Sequence, residues 1–393
     1  MKDYHVRSDC RLCRGPISEV LRLPNTPLAN ELSPSADFVQ DVFPLFLSRC
    51  DSCGHVQLPV VVSPDRLFRH YVYQSGTSHL FVKHLHDFAR DVAIPSGGFV
   101  VEIGSNDGTL LAEYARLGAT VVGVDPADNI ADIAVGKNDV PTIRAFFGKD
   151  VLGHHLFGGR KADLIVANNV FAHADDLSGI LEGVRCLLSD DGRFVFEVGY
   201  LCDVVSRGLY RVVYHEHVSY HHLSPLRDFF ARHGLHLYDA VRVSTQGGSV
   251  RCFARITGPD DAISPGLAEL LAAETPESVD SSTLSTVITT SRDSLRSKLD
   301  AAREAGKTVC GYGSPAQLVT TCYALGLTRE DVSFVADDNP LKHGMFTPGL
   351  CWPIVPPALL RETKPDVCVI FSANFSSDII SRYSDLGCEW IIP

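Results

Sequence analysis

Val101-Glu102-Ile103-Gly104-Ser105-Asn106-Asp107-Gly108-Thr109 decides the fold. The stretch begins as a short buried strand, turns on Gly104 and opens a helix after Gly108. Gly104 lets the chain turn sharply, and Gly108 lets a ligand or the strand come close to the helix. A turn of this kind serves either as a tight structural corner or as a nucleotide cradle. NAD-binding proteins use a related one, but position 106 is Asn, so G-x-G-x-x-G is not met. Outward from this turn, strands are expected at Phe99–Ile103, Thr120–Val124, Leu164–Ala167 and Arg193–Val198, with helical stretches between them. Leu80, Phe81, His84, Leu85, Phe88, Ala89 and Val92 recur at helical spacing ahead of the first strand. Such alternation builds a parallel sheet covered by helices, an α/β fold. Leu235–Val243 and Ser249–Ile256, joined at Gly247-Gly248, read as a closing antiparallel pair.

The pattern E-x-G-x-x-x-G resembles the first motif of S-adenosylmethionine-dependent methyltransferases. Glu102, Gly104, Asn106 and Gly108 are then cofactor contacts. Asp125, at the end of the next strand, is placed to take ribose hydroxyls. Asn168 and Asn169, just past the strand Leu164–Ala167, form a third contact region. The terminal antiparallel pair suits this fold better than a dehydrogenase.

Two C-x-x-C knuckles stand at the N-terminus, Cys10/Cys13 and Cys50/Cys53. Together they supply four thiolates, the closed tetrahedron that zinc prefers in structural sites. A closed site leaves no position for water or substrate, so the chemistry is expected elsewhere. Met1-Lys2-Asp3-Tyr4-His5 lacks the apolar run of a signal peptide, and no stretch reaches a membrane span. The other eight cysteines read as buried free thiols of a reducing cytosol. A net charge of −12 over 393 residues disfavours nucleic acid as partner. Hydrophobic content of 45% and charged content of 21% describe a soluble globular protein with no membrane contact.

Three parts follow: a zinc module over 1–68, a central α/β domain over 69–257, and a linker with a smaller C-terminal α/β domain over 258–393. Within the last, Gly258 to Thr275 reads as polar linker and Glu277 to Ala305 as helix. A second strand–turn–helix appears at Gly311-Tyr312-Gly313-Ser314-Pro315-Ala316.

Tyr214-His215-Glu216-His217-Val218-Ser219-Tyr220-His221-His222 concentrates proton-transfer groups after the strand Arg193–Val198. A His–Glu pair can hold an imidazole in one tautomer and raise its basicity. The spacing H-E-H does not put both histidines on one helical face, which argues against a H-E-x-x-H metal site. Most of these histidines are expected to be structural, with one or two doing chemistry. His173 is a separate candidate. Tyr71 to Ser78 offers hydroxyls ahead of a helix, either as a cap or as a polar ligand site.

The knuckles, Y-x-Y-x-S-G-T-S, V-E-I-G-S-N-D-G, Y-H-E-H-V-S-Y and G-G-S-V-R, in this order, resemble the zinc-containing sugar C-methyltransferases of antibiotic deoxysugar biosynthesis, the family of the tetronitrose C-3 methyltransferase. The resemblance implies a cytoplasmic, three-domain enzyme. Its middle domain is Rossmann-like, of the class I methyltransferase type, and binds S-adenosylmethionine. Its smaller C-terminal domain is Rossmann-like as well. The implied acceptor is a nucleotide-linked keto-sugar, methylated on a carbon next to the ketone. By that resemblance His217 is the base, Tyr214 and Glu216 orient it or contact the sugar, and His173 and Tyr71 complete the catalytic set, though Tyr73 competes with Tyr71. Tyr73, Ser75, Tyr220, Arg251, Gly313, Gln317 and Lys342 are the implied acceptor contacts. The chain departs from the family where Gln317 replaces a usual Lys and Asp338 a usual basic position, which points to a non-standard acceptor. O- or N-methylation, or a non-nucleotide ketone, are the alternatives. A monomer is expected.

Overall fold

A computed structural model describes residues 3–258 and 262–393. The described chain falls into two compact units. One comprises 1–18, 49–206 and 218–279; the other comprises 19–48, 207–217 and 280–393.

The first unit is built on a seven-stranded sheet: β1 Phe99–Ile103, β2 Thr120–Val124, β3 Thr142–Ile143, β4 Ala162–Asn168, β5 Leu188–Gly199, β6 Leu235–Val243 and β7 Ser249–Ile256. The spatial order is β6-β7-β5-β4-β1-β2-β3. β1 to β5 run parallel, whereas β7 lies antiparallel to both β5 and β6. Strands buried on both faces need continuous apolar runs, and Phe-Val-Val-Glu-Ile of β1 is buried at all five positions. On one face Val101, Ile103, Ile165, Ala167, Phe194 and Phe196 share a core. On the other, Val100, Leu164, Val166 and Val195 meet Leu85, Phe88 and Ala89 of helix α1 (His79–Asp91). Each fully buried Leu, Val or Phe of these layers contributes about 1.5–3 kcal/mol. Ser78 caps α1, its hydroxyl accepting from the Phe81 N–H at 3.4 Å, as the hydroxyl-rich approach suggests.

The second unit contains a five-stranded, all-parallel sheet: β8 Val309–Tyr312, β9 Val335–Ala336, β10 Ile354–Val355, β11 Val367–Ile370 and β12 Glu389–Ile391, in the order β10-β9-β8-β11-β12. Within the N-terminal region, the strands Ile17–Thr26 and Phe43–Cys50 carry the chain from one unit into the other.

Two expectations change. The segment read as polar linker holds a helix at Pro265–Ala273, started by Ser264, whose hydroxyl accepts from the Leu267 N–H, and by Pro265 in the first turn. Leu267 is fully buried there, so tertiary packing reinforces a strong helix-forming run. Residues 259–261 of that segment lie outside the described residues. Nor are the eight remaining cysteines uniformly buried: Cys252, Cys310, Cys322 and Cys368 are, Cys186 is exposed, and Cys202, Cys351 and Cys388 are intermediate. Among the described residues no helix is long and apolar enough to cross a membrane.

Candidate functional site

At the C-terminal end of β1, Gly104 adopts a left-handed φ of 65°, and its N–H donates to the Val124 carbonyl at 2.7 Å. A Cβ there would stand 2.3 Å from Val170 Cγ2, so only glycine fits. The N–H of Asn106 donates to Asp125 Oδ2 at 2.8 Å, and that of Ala127 to Asp125 Oδ1 at 2.9 Å. Burial raises the Asp125 carboxyl despite these two bonds. The Asn106 side chain is itself engaged, accepting from the Ser75 N–H at 2.9 Å and donating to the Tyr73 carbonyl at 3.1 Å. Gly76 N–H donates to Asp107 Oδ2 at 2.8 Å. The segment Tyr73–Gly76 and the glycine turn, separate motifs in the sequence, thus form one site. Gly108, φ 78°, approaches Val140 closely.

Glu102 Oε2 and both amide atoms of Asn168 are buried without a protein partner. Burial, with Asp107 and Asp125 nearby, pushes the Glu102 carboxyl well up. Asn169, at φ 56°, donates its N–H to the Glu197 carbonyl at 2.8 Å. These residues fit S-adenosylmethionine. Asp125 keeps lone pairs for a pair of hydroxyls, and Glu102 and Asn168 present polar atoms that a ligand can satisfy.

Tyr71 and His173 both lie against Phe68, with ring centroids at 5.9 and 5.6 Å. The backbone of Tyr71 is held by Asn129, which accepts its N–H at 3.0 Å and donates to its carbonyl at 2.7 Å. Tyr73 lies 6.5 Å from Phe81, edge to face.

The four knuckle thiols converge. Cys10 and Cys53 sulfurs are 3.6 Å apart, Cys13 and Cys50 3.4 Å, and all four lie within 4.8 Å of one another. Zinc–sulfur bonds of about 2.3 Å set the sulfurs of a tetrahedron roughly 3.8 Å apart, so the set fits one zinc ion. Backbone N–H groups of Gly15, Ser52 and Cys53 point at the sulfurs of Cys13 and Cys50 at 3.4 Å. Buried Arg11 fastens the first knuckle by donating to Asp175 Oδ1 at 2.9 Å and to the Val218 carbonyl at 2.8 Å.

The histidine-rich run divides between the units after His217. In the second unit, His217 Nδ1 lies 2.9 Å from the Val212 carbonyl and Nε2 lies 2.9 Å from the Tyr214 hydroxyl. A carbonyl only accepts, so Nδ1 carries the proton, and Nε2 is the basic nitrogen with Tyr214 donating to it. Desolvation lowers His217 to about 4, so the ring is neutral near pH 7. Glu216 Oε1 accepts from the Asn30 amide at 2.6 Å. His215 is a packed core group, against Phe43 and the Pro44 carbonyl. In the first unit, Tyr220 is a buried strand residue opposite Val56, and His221 stacks on buried His55. His215 and His221 are therefore packed core groups.

Of the acceptor candidates, Ser75 gives its N–H to Asn106, as above. Arg251 is engaged in a buried ion pair with Glu197 at 2.7 Å and with Asp91 at 3.2 Å. In the second unit Gly313, φ 85°, makes the turn after β8, Gln317 begins the following helix, and Lys342 Nζ donates to the Ser314 carbonyl at 2.7 Å. Asp338 is neutralised by Arg382 at 3.0 Å and accepts from the Tyr312 hydroxyl at 2.9 Å. Sequence reading missed Asn30, Asn129, His84 and Glu197, whose partners lie far away in the chain.

Three families match the chain: a zinc binding domain over residues 10–68, a methyltransferase domain over 69–240 and a C-methyltransferase C-terminal domain over 244–393. The C-methyltransferase NovU of Streptomyces niveus is 31% identical over 403 residues, covering 98% of this chain and 95% of that protein. A ubiquinone biosynthesis O-methyltransferase of Azorhizobium caulinodans is 26% identical over 113 residues, covering 29% of this chain and 45% of that protein. Among solved structures, the CcbJ methyltransferase of Streptomyces caelestis overlies 48% of this chain and 94% of its own at 15% identity, with a TM-score of 0.38, a likeness too loose to build on. The relation to NovU runs end to end, through all three matched segments, and the chain belongs to the C-methyltransferase family.

Proposed function

We propose that the protein methylates a carbon next to a ketone of a small-molecule acceptor, a nucleotide-linked keto-sugar, through an enolate. The observation that carries this reading is the fixed tautomer of His217, whose neutral ring presents Nε2 as a base beside the Tyr214 hydroxyl. The proton of the α-carbon passes to Nε2 as the C–H electron pair forms the carbon–carbon double bond and the carbonyl π pair moves onto the oxygen. Nε2 then stops accepting from Tyr214, and that hydroxyl is released to donate to the enolate oxygen. Developing negative charge next to the ring raises its basicity from the low resting value. Glu216, held by Asn30, orients acceptor hydroxyls. S-adenosylmethionine supplies an electrophilic methyl group. The contribution of Tyr71, His173, Tyr73 and the glycine turn is to position the reacting groups. Zinc holds the N-terminal knuckles together and takes no part in the transfer. The enzyme is then a cytoplasmic monomer of antibiotic deoxysugar biosynthesis, divided at 1–68, 69–257 and 258–393.

The test is incubation with labelled methyl donor and a panel of keto-sugar nucleotides and non-nucleotide ketones, with NMR of the product. A new carbon–carbon bond next to the carbonyl of a keto-sugar nucleotide supports the reading. Label on oxygen or nitrogen, or turnover confined to non-nucleotide ketones, overturns it.

A further inference from the structure

The sheet of the first unit carries a row of polar side chains on the face that α1 covers. Asn168 of β4 is in register with Glu197 of β5, and Glu197 with Arg251 of β7. Glu102 of β1 is level with Val166, two residues before Asn168, and so points to the same face one pleat lower. The other residues of this face, Val100, Leu164, Val166 and Val195, are core. A polar row above such a core is costly unless each member is satisfied.

Half of it is. Glu197 is 1% exposed; one oxygen accepts from Arg251 Nε at 2.7 Å, and the other lies 2.7 Å from His84 Nε2. His84 comes from α1, stacks on Phe81 at 5.9 Å and keeps part of its ring open to solvent. Arg251 is held in turn by Asp91 at 3.2 Å and by the face of Phe88 at 4.4 Å. The other half, Glu102 Oε2 and the Asn168 amide, has no protein partner although both are buried. Asn168 offers a donor and an acceptor, and Glu102 offers an acceptor. The complement of that set is a group bearing both an ammonium and a carboxylate.

We propose that His84 and Glu197 extend the methyl-donor site, forming with Glu102 and Asn168 the seat for the amino-acid end of S-adenosylmethionine. His84 contacts the ligand end, while Glu197 and Arg251 are positioning residues that fix its ring. This rests on the reading that S-adenosylmethionine is the donor. S-adenosylhomocysteine carries the amino-acid end, and 5′-methylthioadenosine lacks it, so the pair of ligands isolates the row.

Calorimetry with both ligands on the full chain, wild type, His84→Gln and Glu197→Gln, tests the proposal. The expected result is a loss of about tenfold or more for S-adenosylhomocysteine in each variant, with 5′-methylthioadenosine held within about twofold. A parallel loss for both ligands, no loss for either, or a wild type that holds the two equally tightly overturns it. If Glu197→Gln does not fold, His84→Gln decides alone, because that side chain is partly exposed. A wild type that binds neither ligand removes the donor reading itself and this proposal with it.

Discussion

His217 donates through Nδ1 to the carbonyl of Val212 at 2.9 Å, and that bond decides which ring nitrogen is basic. Rotating the ring would set the Nε2 lone pair against a carbonyl lone pair. The backbone thus does for this imidazole what a carboxylate does in other acid–base pairs.

Replacing His217 by Asn or Ala removes the base. Turnover is expected to fall by about 10²–10⁴, while S-adenosylhomocysteine affinity stays within about twofold. Near-normal methylation by either variant would show that another group takes the proton.

Acid should affect both rate and stability, with the same sign. His217 is lowered to about 4, so kcat/KM is expected to stay flat from pH 8 to roughly 5 and to fall through about 4 as Nε2 is protonated. Buried His215 and His221 are lowered to about 4 and about 3, against an unfolded value of about 6.5. Between those values the unfolded chain binds more protons, so stability is full above about 6.5 and declines as pH falls toward 4. Thermal melts at stepped pH check this, and a Tm that rises on acidification over that window would contradict it.

Gly104→Ala should lose donor binding and stability together. The new Cβ meets Val170 Cγ2 at 2.3 Å, and the φ of 65° adds about 1–2 kcal/mol of strain for any L-residue. Combining it with Val170→Ala should recover part of the stability by relieving the clash but not the strain, as read by urea unfolding.

Zinc should be present at one ion per chain and be structural. Cys50→Ser is expected to lower metal content and Tm in parallel, and chelation to impair folding before rate. A chelated protein that melts normally yet has lost turnover would assign zinc to the chemistry.

Asn30→Ala leaves Glu216 without the 2.6 Å donor that orients it. A drop of about tenfold in kcat/KM is expected, with S-adenosylhomocysteine binding unchanged. Asn30→Asp should be worse, since it sets two carboxylates together. Equal, wild-type rates for both variants would remove Glu216 from the reaction.

Much of the central sheet was legible because strands such as Phe99–Ile103 before Gly104 are short apolar runs followed by a turn signal, whereas the two-residue strand Thr142–Ile143 carries no such run. The knuckles were legible from spacing alone. The helix at Pro265–Ala273 was hidden in a segment read by its polar flanks, though Ser264-Pro265 is a helix start. Asn30 and Glu216 are 186 positions apart, and His84 and Glu197 113 apart, so no window of sequence contains either pair. Arg251 was legible as a cation, but its buried carboxylate partner on the neighbouring strand was not.

The knuckle residues Cys13 and Cys50 flank the excursion 19–48, which belongs to the other unit and carries Asn30. A metal ion that joins them therefore closes a loop whose interior folds somewhere else. The strands Ile17–Thr26 and Phe43–Cys50, hydrogen-bonded neighbours in one sheet, also bring the ends of that excursion together. A fragment beginning after the knuckles would therefore lack both the clasp and the amide of Asn30.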